Sequence, residues 1–129
     1  MNVAGIGIDA VEIERFSKAL EKWGENFLKK IFTRKELEYA GGKKGYAMHM
    51  AGKFAAKEAV KKTLPDGAEI GLNWANIEIL NGKDGKPHVC LHGHAERLMK
   101  KFNLSQVYVS ISHTEKLAIA NAIGVKNGA

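Results

Sequence analysis

Hydrophobic and polar positions change period several times along the chain, and each change marks an element. Residues 3–10 form a short, mostly apolar run containing Gly5 and Gly7, which predicts a buried strand. From Val11 the spacing turns helical. Ile13, Phe16, Leu20, Trp23 and Phe27 fall on one side, while Glu14, Arg15, Lys18, Glu21 and Lys22 take the other. Gly24 interrupts this helix and residues 26–32 continue it. Thr33-Arg34-Lys35-Glu36 has the form of a capping box, so a second helix starts there and stops at Gly41-Gly42. Residues 46–64 make the longest helical segment, ended by Pro65-Asp66-Gly67. Ala47, Met50, Ala51 and Phe54 share one stripe of it with Glu58, and Lys62 lies one turn further on. Ala56, Val60 and Leu64 lie opposite, and a helix apolar on two faces is expected to be buried.

The second half alternates instead. Residues 74–80 read as a strand, 81–87 as a turn-rich connection and 88–92 as the returning strand. Ala95, Leu98, Met99 and Phe102 predict a short helix. Val107, Val109 and Ile111 then alternate with Tyr108, Ser110 and Ser112 in a further strand. In the last one, 117–125, Leu117, Ile119 and Ile123 share one face and Ala118, Ala120 and Ala122 the other. A strand apolar on both faces is covered twice, by its own core and by a partner subunit. Helices segregated from mainly antiparallel strands give an α+β fold, with a long central helix and shorter helices packed on the sheet.

Composition fits this picture. Of 129 residues, 45% are hydrophobic and 26% charged, with two prolines, which excludes a disordered or low-complexity chain. That size suits one domain over residues 1–129, able to hold a core without disulfide staples. Cys90 is the lone cysteine, so no intrachain disulfide is expected and a reducing compartment suits it. The opening residues carry no basic leader, and Asp9 ends the apolar run. The expectation is a cytoplasmic protein with no signal peptide and no membrane span.

Charge narrows the partners. Twenty Lys and Arg against fourteen Asp and Glu leave +6, which favours acidic or phosphorylated partners. A basic nucleic-acid-binding module would share that charge. It has no use for carboxylates in apolar runs, however, and no strand carries paired stacking aromatics, only Tyr108 standing out. No nucleic-acid partner is therefore expected. A non-catalytic oligomerisation subunit is a third class, and indifference to Mg²⁺ would mark it.

Two carboxylates stand in apolar company. Asp9 follows Gly5-Ile6-Gly7-Ile8, and Glu58 interrupts the helix stripe. An ionised carboxylate on a buried face is costly unless a cation or hydrogen bonds compensate it. The two can share a hard divalent cation, since Mg²⁺ takes one or two protein carboxylates and completes its octahedron with waters and phosphates. Plainer readings stand beside this one. Asp9-Ala10-Val11-Glu12 also has the form of a capping box, and Glu58 can pair with Lys62 one turn on, worth about 0.2–0.5 kcal/mol on an exposed surface.

The remaining candidates are weaker. Ser110-Ile111-Ser112-His113-Thr114 sets hydroxyls and an imidazole at a strand end, which suits phosphate oxygens or an ordinary hairpin end. His92-Gly93-His94 lacks further ligands at zinc spacing and reads as exposed histidines. Gly5-x-Gly7 lacks the third glycine of a dinucleotide fingerprint. Lys43-Lys44, followed by Lys53, Lys57, Lys61 and Lys62, is either a solvated loop or a basic surface turned toward phosphates.

These same segments carry a resemblance. Gly5-Ile-Gly-Ile-Asp9-Ala-Val-Glu-Ile-Glu-Arg15-Phe16, Phe32-Thr33 with Glu36, and Ala51-Gly-Lys-Phe-Ala-Ala-Lys-Glu58-Ala59 stand in order. Ile77-Glu-Ile79, Gly85-Lys-Pro87 and Ser110-Ile-Ser-His-Thr114 follow, so the match covers nearly the whole chain. Together they resemble the small 4′-phosphopantetheinyl transferases of the holo-acyl-carrier-protein synthase family. The resemblance implies transfer of 4′-phosphopantetheine from coenzyme A to a serine of apo acyl carrier protein, releasing adenosine 3′,5′-bisphosphate. It implies Mg²⁺ on Asp9 and Glu58, with Lys62 near the pyrophosphate; the carrier serine also needs a base, which Glu58 can be directly or through a metal-bound water. It also implies that Lys53, Ser112, His113 and Thr114 hold the coenzyme's phosphates, and that the Gly85-Lys86-Pro87 turn of a neighbouring subunit lies against the adenine. Family members are homotrimers with active sites between subunits. Arg15, Lys18 and Lys22 on the first helix would receive the acidic carrier protein. Lys53 stands where many relatives carry arginine, and residues 41–45 are glycine-rich where relatives are arginine-rich.

Overall fold

Glycine and alanine set how closely the layers approach. The computed structural model describes residues 2–68 and 70–126 and opens with β1 (Asn2–Glu12). Helices α1 (Ile13–Ile31), α2 (Arg34–Ala40) and α3 (Tyr46–Lys61) follow. A single 3-10 turn (Trp74–Asn76) then leads into β2 (Ile77–Asn81), β3 (Pro87–Leu91), α4 (Gly93–Lys101), β4 (Leu104–His113) and β5 (Leu117–Lys126). Two antiparallel sheets result, one in the order β1-β5-β4 and one pairing β2 with β3. The α+β architecture with antiparallel sheets is as the sequence pattern predicts.

Side chains alternate across β1, so Gly5, Gly7, Asp9 and Val11 face α3 while Ile6, Ile8 and Ala10 face outward. A Cβ on Gly7 would lie 1.9 Å from the Ala59 carbonyl oxygen, and one on Gly5 would lie 2.1 Å from that of Thr63. The glycine pair therefore serves helix–strand approach and has nothing to do with a nucleotide loop. Ala120 and Ala122 of β5 continue the small-residue floor, against Ala55, Ala56 and Ala59 of α3. A second apolar cluster gathers Phe16, Ile31, Phe32, Met50 and Ala51 where α1 crosses α3, and Ala118 of β5 belongs to it.

Several boundaries differ from expectation, for reasons of long-range pairing. β1 runs on to Glu12 because Val11 and Glu12 pair with Ala118 and Leu117 of β5. Asp9 is therefore a strand residue and not a helix cap; the cap of α1 is Glu12, with no side-chain bond. The interruption at Gly24 is a kink with φ 65°, a value glycine tolerates. The Thr33 capping box forms as predicted, with Glu36 N–H donating to Thr33 Oγ1 at 3.3 Å and Thr33 N–H to Glu36 Oε1 at 2.8 Å. α3 spans 16 residues and stops at Lys61, short of Leu64, while α1 spans 19 across its kink. Trp74 to Asn76 form the 3-10 turn ahead of the strand predicted to begin there.

Lys53 and Lys57, read as candidates for a basic surface, are both buried. Lys57 is 0% exposed, and its ammonium takes Glu36 Oε1 at 2.7 Å and the Ile77 and Trp74 carbonyls at 2.5 and 3.1 Å. Glu36 Oε2 accepts the Ile79 N–H at 2.9 Å. This ion pair pins α2, α3 and β2 together, and burial still pushes the Lys57 ammonium below its ordinary pKa despite Glu36.

Candidate functional site

The approach permitted by Gly7 sets the inner face of β1 against the last turn of α3. Lys62 reaches back from there, its Nζ donating to the Ile8 carbonyl at 2.8 Å and to Asp9 Oδ1 at 3.3 Å. Lys62 thus pairs with Asp9, and the alternative pairing with Glu58 does not form. Glu58 pairs instead with Lys61 at 3.8 Å and accepts the indole N–H of Trp74 at Oε1.

Asp9 and Glu58 border one cleft of about 500 Å³, together with Arg15, Phe16, Phe27 and Phe54. Among the described residues, hydrogen bonds engage Oδ1 of Asp9 and Oε1 of Glu58 but neither Oδ2 nor Oε2. Two hard oxygen donors are thereby left beside a shared opening, a set that fits Mg²⁺ with its remaining positions given to water and phosphate oxygens. On the other side of Glu58 a further recess of about 460 Å³ is lined by Lys61, Lys62, Asp66 and Trp74. Charges of both signs therefore flank Glu58.

The other residues singled out by the sequence lie elsewhere on the molecule. Lys53 Nζ is buried and donates to the Ile79 carbonyl at 2.6 Å, 4.9 Å above the Tyr39 ring. Burial depresses its pKa, with Glu36 and Glu78 opposing. Ser112 and His113 are neighbours in β4 and so face opposite sides of the sheet. His113 shares the inner row with Ala118 and Val11, and it lies close enough to His49 for its charge to lower the His49 pKa. Burial is the larger cause of that shift, and Lys43 and Lys53 add to it. Thr114 closes the hairpin, its Oγ1 accepting N–H groups of Lys116 and Leu117 at 3.2 and 3.1 Å. Gly85, with φ 83°, turns the β2–β3 hairpin, and Lys86 and Pro87 enter a separate cleft of about 530 Å³ between β3 and β4.

Arg15, Lys18 and Lys22 are exposed on α1, where Lys18 pairs with Glu14 at 3.2 Å and Lys22 covers the Trp23 ring. His92 is exposed as expected, but it also meets the buried Glu78 at 3.0 Å. His94, expected to be exposed, is half-buried in the first turn of α4, and among the described residues no three His, Cys, Asp or Glu side chains gather as a metal cluster.

Trp74 and His49 were given no role by the sequence, and Lys61 was read only as part of a basic surface or solvated loop, not as a partner of Glu58. Trp74 lies 16 residues from Glu58, beyond the reach of local periodicity.

Residues 5–122 match the family model of the 4′-phosphopantetheinyl transferase superfamily. The holo-[acyl-carrier-protein] synthase of Halothermothrix orenii is 41% identical over 122 residues, covering 95% of this chain and 97% of that one. Among solved structures, the acyl carrier protein synthase of Plasmodium yoelii with ADP bound superposes with a TM-score of 0.86 at 35% identity, over 98% of both chains. The Helicobacter pylori holo-[acyl-carrier-protein] synthase in complex with coenzyme A gives 0.81 at 31%, over 93% of this chain and 99% of that one.

Proposed function

This chain belongs to the 4′-phosphopantetheinyl transferase superfamily, among the holo-[acyl-carrier-protein] synthases, and for its transfer from coenzyme A to acyl carrier protein we propose the following division of roles. Asp9 and Glu58 hold the metal, and the observation that carries this is their common cleft with one carboxylate oxygen of each outside any hydrogen bond. Mg²⁺ held there would supply positive charge to offset that of the pyrophosphate.

The chain's own residues do the rest. The carrier serine hydroxyl attacks the phosphorus next to the pantetheine, and its proton passes to Glu58 directly or through a water molecule. The phosphorus–oxygen bond to the departing group breaks, and adenosine 3′,5′-bisphosphate leaves with the electron pair. Lys62, already held on the Asp9 side by the Ile8 carbonyl, sits where it can balance that negative charge. Ser112, His113 and Thr114, exposed at the end of β4, serve the coenzyme's phosphates, and Lys53 joins them only by releasing the Ile79 carbonyl that its buried ammonium now holds.

Three copies associate through the outward face of β1-β5-β4. Ile6, Ile123 and Tyr108 lie in one row of that face, 69%, 40% and 54% exposed. Soluble monomers rarely leave so contiguous an apolar surface open. The Gly85-Lys86-Pro87 turn, whose Lys86 and Pro87 line a different cleft from Asp9, then completes a neighbour's site against the adenine. Arg15, beside the Asp9–Glu58 cleft, receives the acidic carrier protein with Lys18 and Lys22, and net +6 steers the encounter. A reducing cytoplasm suits the free Cys90.

The test is to incubate the protein with coenzyme A, Mg²⁺ and apo carrier protein and weigh the carrier. The parent adds one phosphopantetheine per carrier, whereas Asp9→Asn and Glu58→Gln leave the mass unchanged while keeping the parent circular dichroism. Near-parent rates in either variant overturn the metal assignment.

A further inference from the structure

Glu58 owes its placement to a residue on another element. Trp74 stands in the 3-10 turn ahead of β2, and its indole Nε1 donates to Glu58 Oε1. Two side chains hold the ring and a third holds the main chain. Phe54 packs against the ring with centroids 5.7 Å apart, Lys61 Nζ lies 4.5 Å over its face, and the Trp74 carbonyl accepts from buried Lys57 at 3.1 Å. Lys57 is in turn fixed by Glu36. A rigid chain thus runs from the core ion pair to one oxygen of the carboxylate. We propose that Trp74 is a positioning residue for the metal: by occupying Oε1 it fixes the rotamer of Glu58 and presents Oε2 to the cation. The inference rests on the role given to Glu58 above.

The chemistry favours a tryptophan here. An indole N–H is a donor only, so it can engage a carboxylate without competing for the cation. It also carries no charge, and leaves the full negative charge of Glu58 for the metal. Lys61 approaches the same Oε1 at 3.8 Å, which keeps the positive charge on the side of Glu58 where the indole already sits. Partners of metal ligands that fix orientation in this way are typically worth 10–100-fold in metal affinity.

Calorimetric Mg²⁺ titrations of the parent, Trp74→Phe and Glu58→Gln test this. Phenylalanine keeps the ring packing against Phe54 and removes the donor. Trp74→Phe is expected to weaken Mg²⁺ by roughly 10–100-fold, to raise the Mg²⁺ concentration for half-maximal transfer by a similar factor, and to recover most of kcat at saturating Mg²⁺. Trp74→Phe with parent affinity, beside a Glu58→Gln variant that has lost Mg²⁺, overturns the role of Trp74 alone. Parent affinity in Glu58→Gln overturns the metal reading itself. A second readout needs no variant at position 74. The chain has two tryptophans, so Trp23→Phe leaves Trp74 as the sole indole emitter. Its emission is expected to shift on adding Mg²⁺ without coenzyme, with the midpoint of the calorimetric titration, and emission that stays unmoved while calorimetry shows binding counts against the proposal.

Discussion

Lys57 and Glu36 form an ion pair 2.7 Å long with both side chains at 0% exposure. Removing one partner of such a pair leaves the other charge buried alone, which typically costs about 3–5 kcal/mol. Lys57→Met is expected to lower stability by that order, measured by urea unfolding. The double variant Lys57→Met/Glu36→Leu should be less destabilised than the sum of the single changes, because neither charge is then stranded. Strict additivity would show that the pair is not coupled.

Glu78 gives the acid limb of stability a sign. Burial pushes its carboxyl up, but hydrogen bonds from Thr33 and His92, with the charges of His92 and Lys35, outweigh this and hold it below the ordinary value. A carboxylate with a depressed folded pKa adds stability above its unfolded pKa of about 4.3 and loses that contribution as pH falls through the folded value. Glu78→Gln is therefore expected to melt below the parent at pH 7, with the gap in Tm closing toward pH 3. A gap that widens on acidification would reverse the assignment.

Gly7→Ala would force a methyl group to within 1.9 Å of the Ala59 carbonyl oxygen, which is backbone and has no rotamer to yield. Overpacking of a tight core commonly costs about 1–3 kcal/mol. The expected outcome is a lowered Tm together with a disproportionate loss of transfer, since pushing β1 off α3 carries Asp9 away from Lys62 and Glu58. Gly71→Ala is a useful comparison, because nothing lies within 4 Å of that position although its φ of 80° is itself unfavourable to alanine.

Ile123→Lys places a charge in the middle of the outward row formed with Ile6 and Tyr108. Sedimentation velocity should show a parent trimer and a smaller species for the variant, and transfer should fall with the trimer fraction. Full activity in a monomeric variant would show that one protomer holds the whole site.

The order and kind of elements were legible because each has its own period: glycine-broken apolar run, helical stripe, then strict alternation. The pattern read β1 as a buried strand without assigning its faces. In one copy of the chain Ile6 and Ile8 are exposed, and the glycines with Asp9 take the inner face because only glycine lets α3 approach. The cap-like spacing of Asp9 to Glu12 misled, because only the pairing of Val11 and Glu12 with β5 shows that the strand continues. Lys57 was the harder case. A lysine in a helix reads as a surface charge, and its partner Glu36 lies 21 residues upstream on another helix. The capping box identified Glu36 but only half its work, since the same carboxylate also takes Lys57 and the Ile79 N–H. The bond from Trp74 to Glu58 left no trace at all in periodicity, because it joins a turn to a helix through side chains alone.

Where two bare α-carbons of β1 rest on carbonyls of α3, main chain is stacked directly on main chain. The separation between the strand and the helix is then a covalent dimension, insensitive to the rotamer hopping that lets ordinary interfaces breathe. Drift of amino-acid identity elsewhere in the protein can recolour the surroundings of Asp9 and Lys62 without altering the gauge between them, and only a change at Gly5 or Gly7 rewrites it.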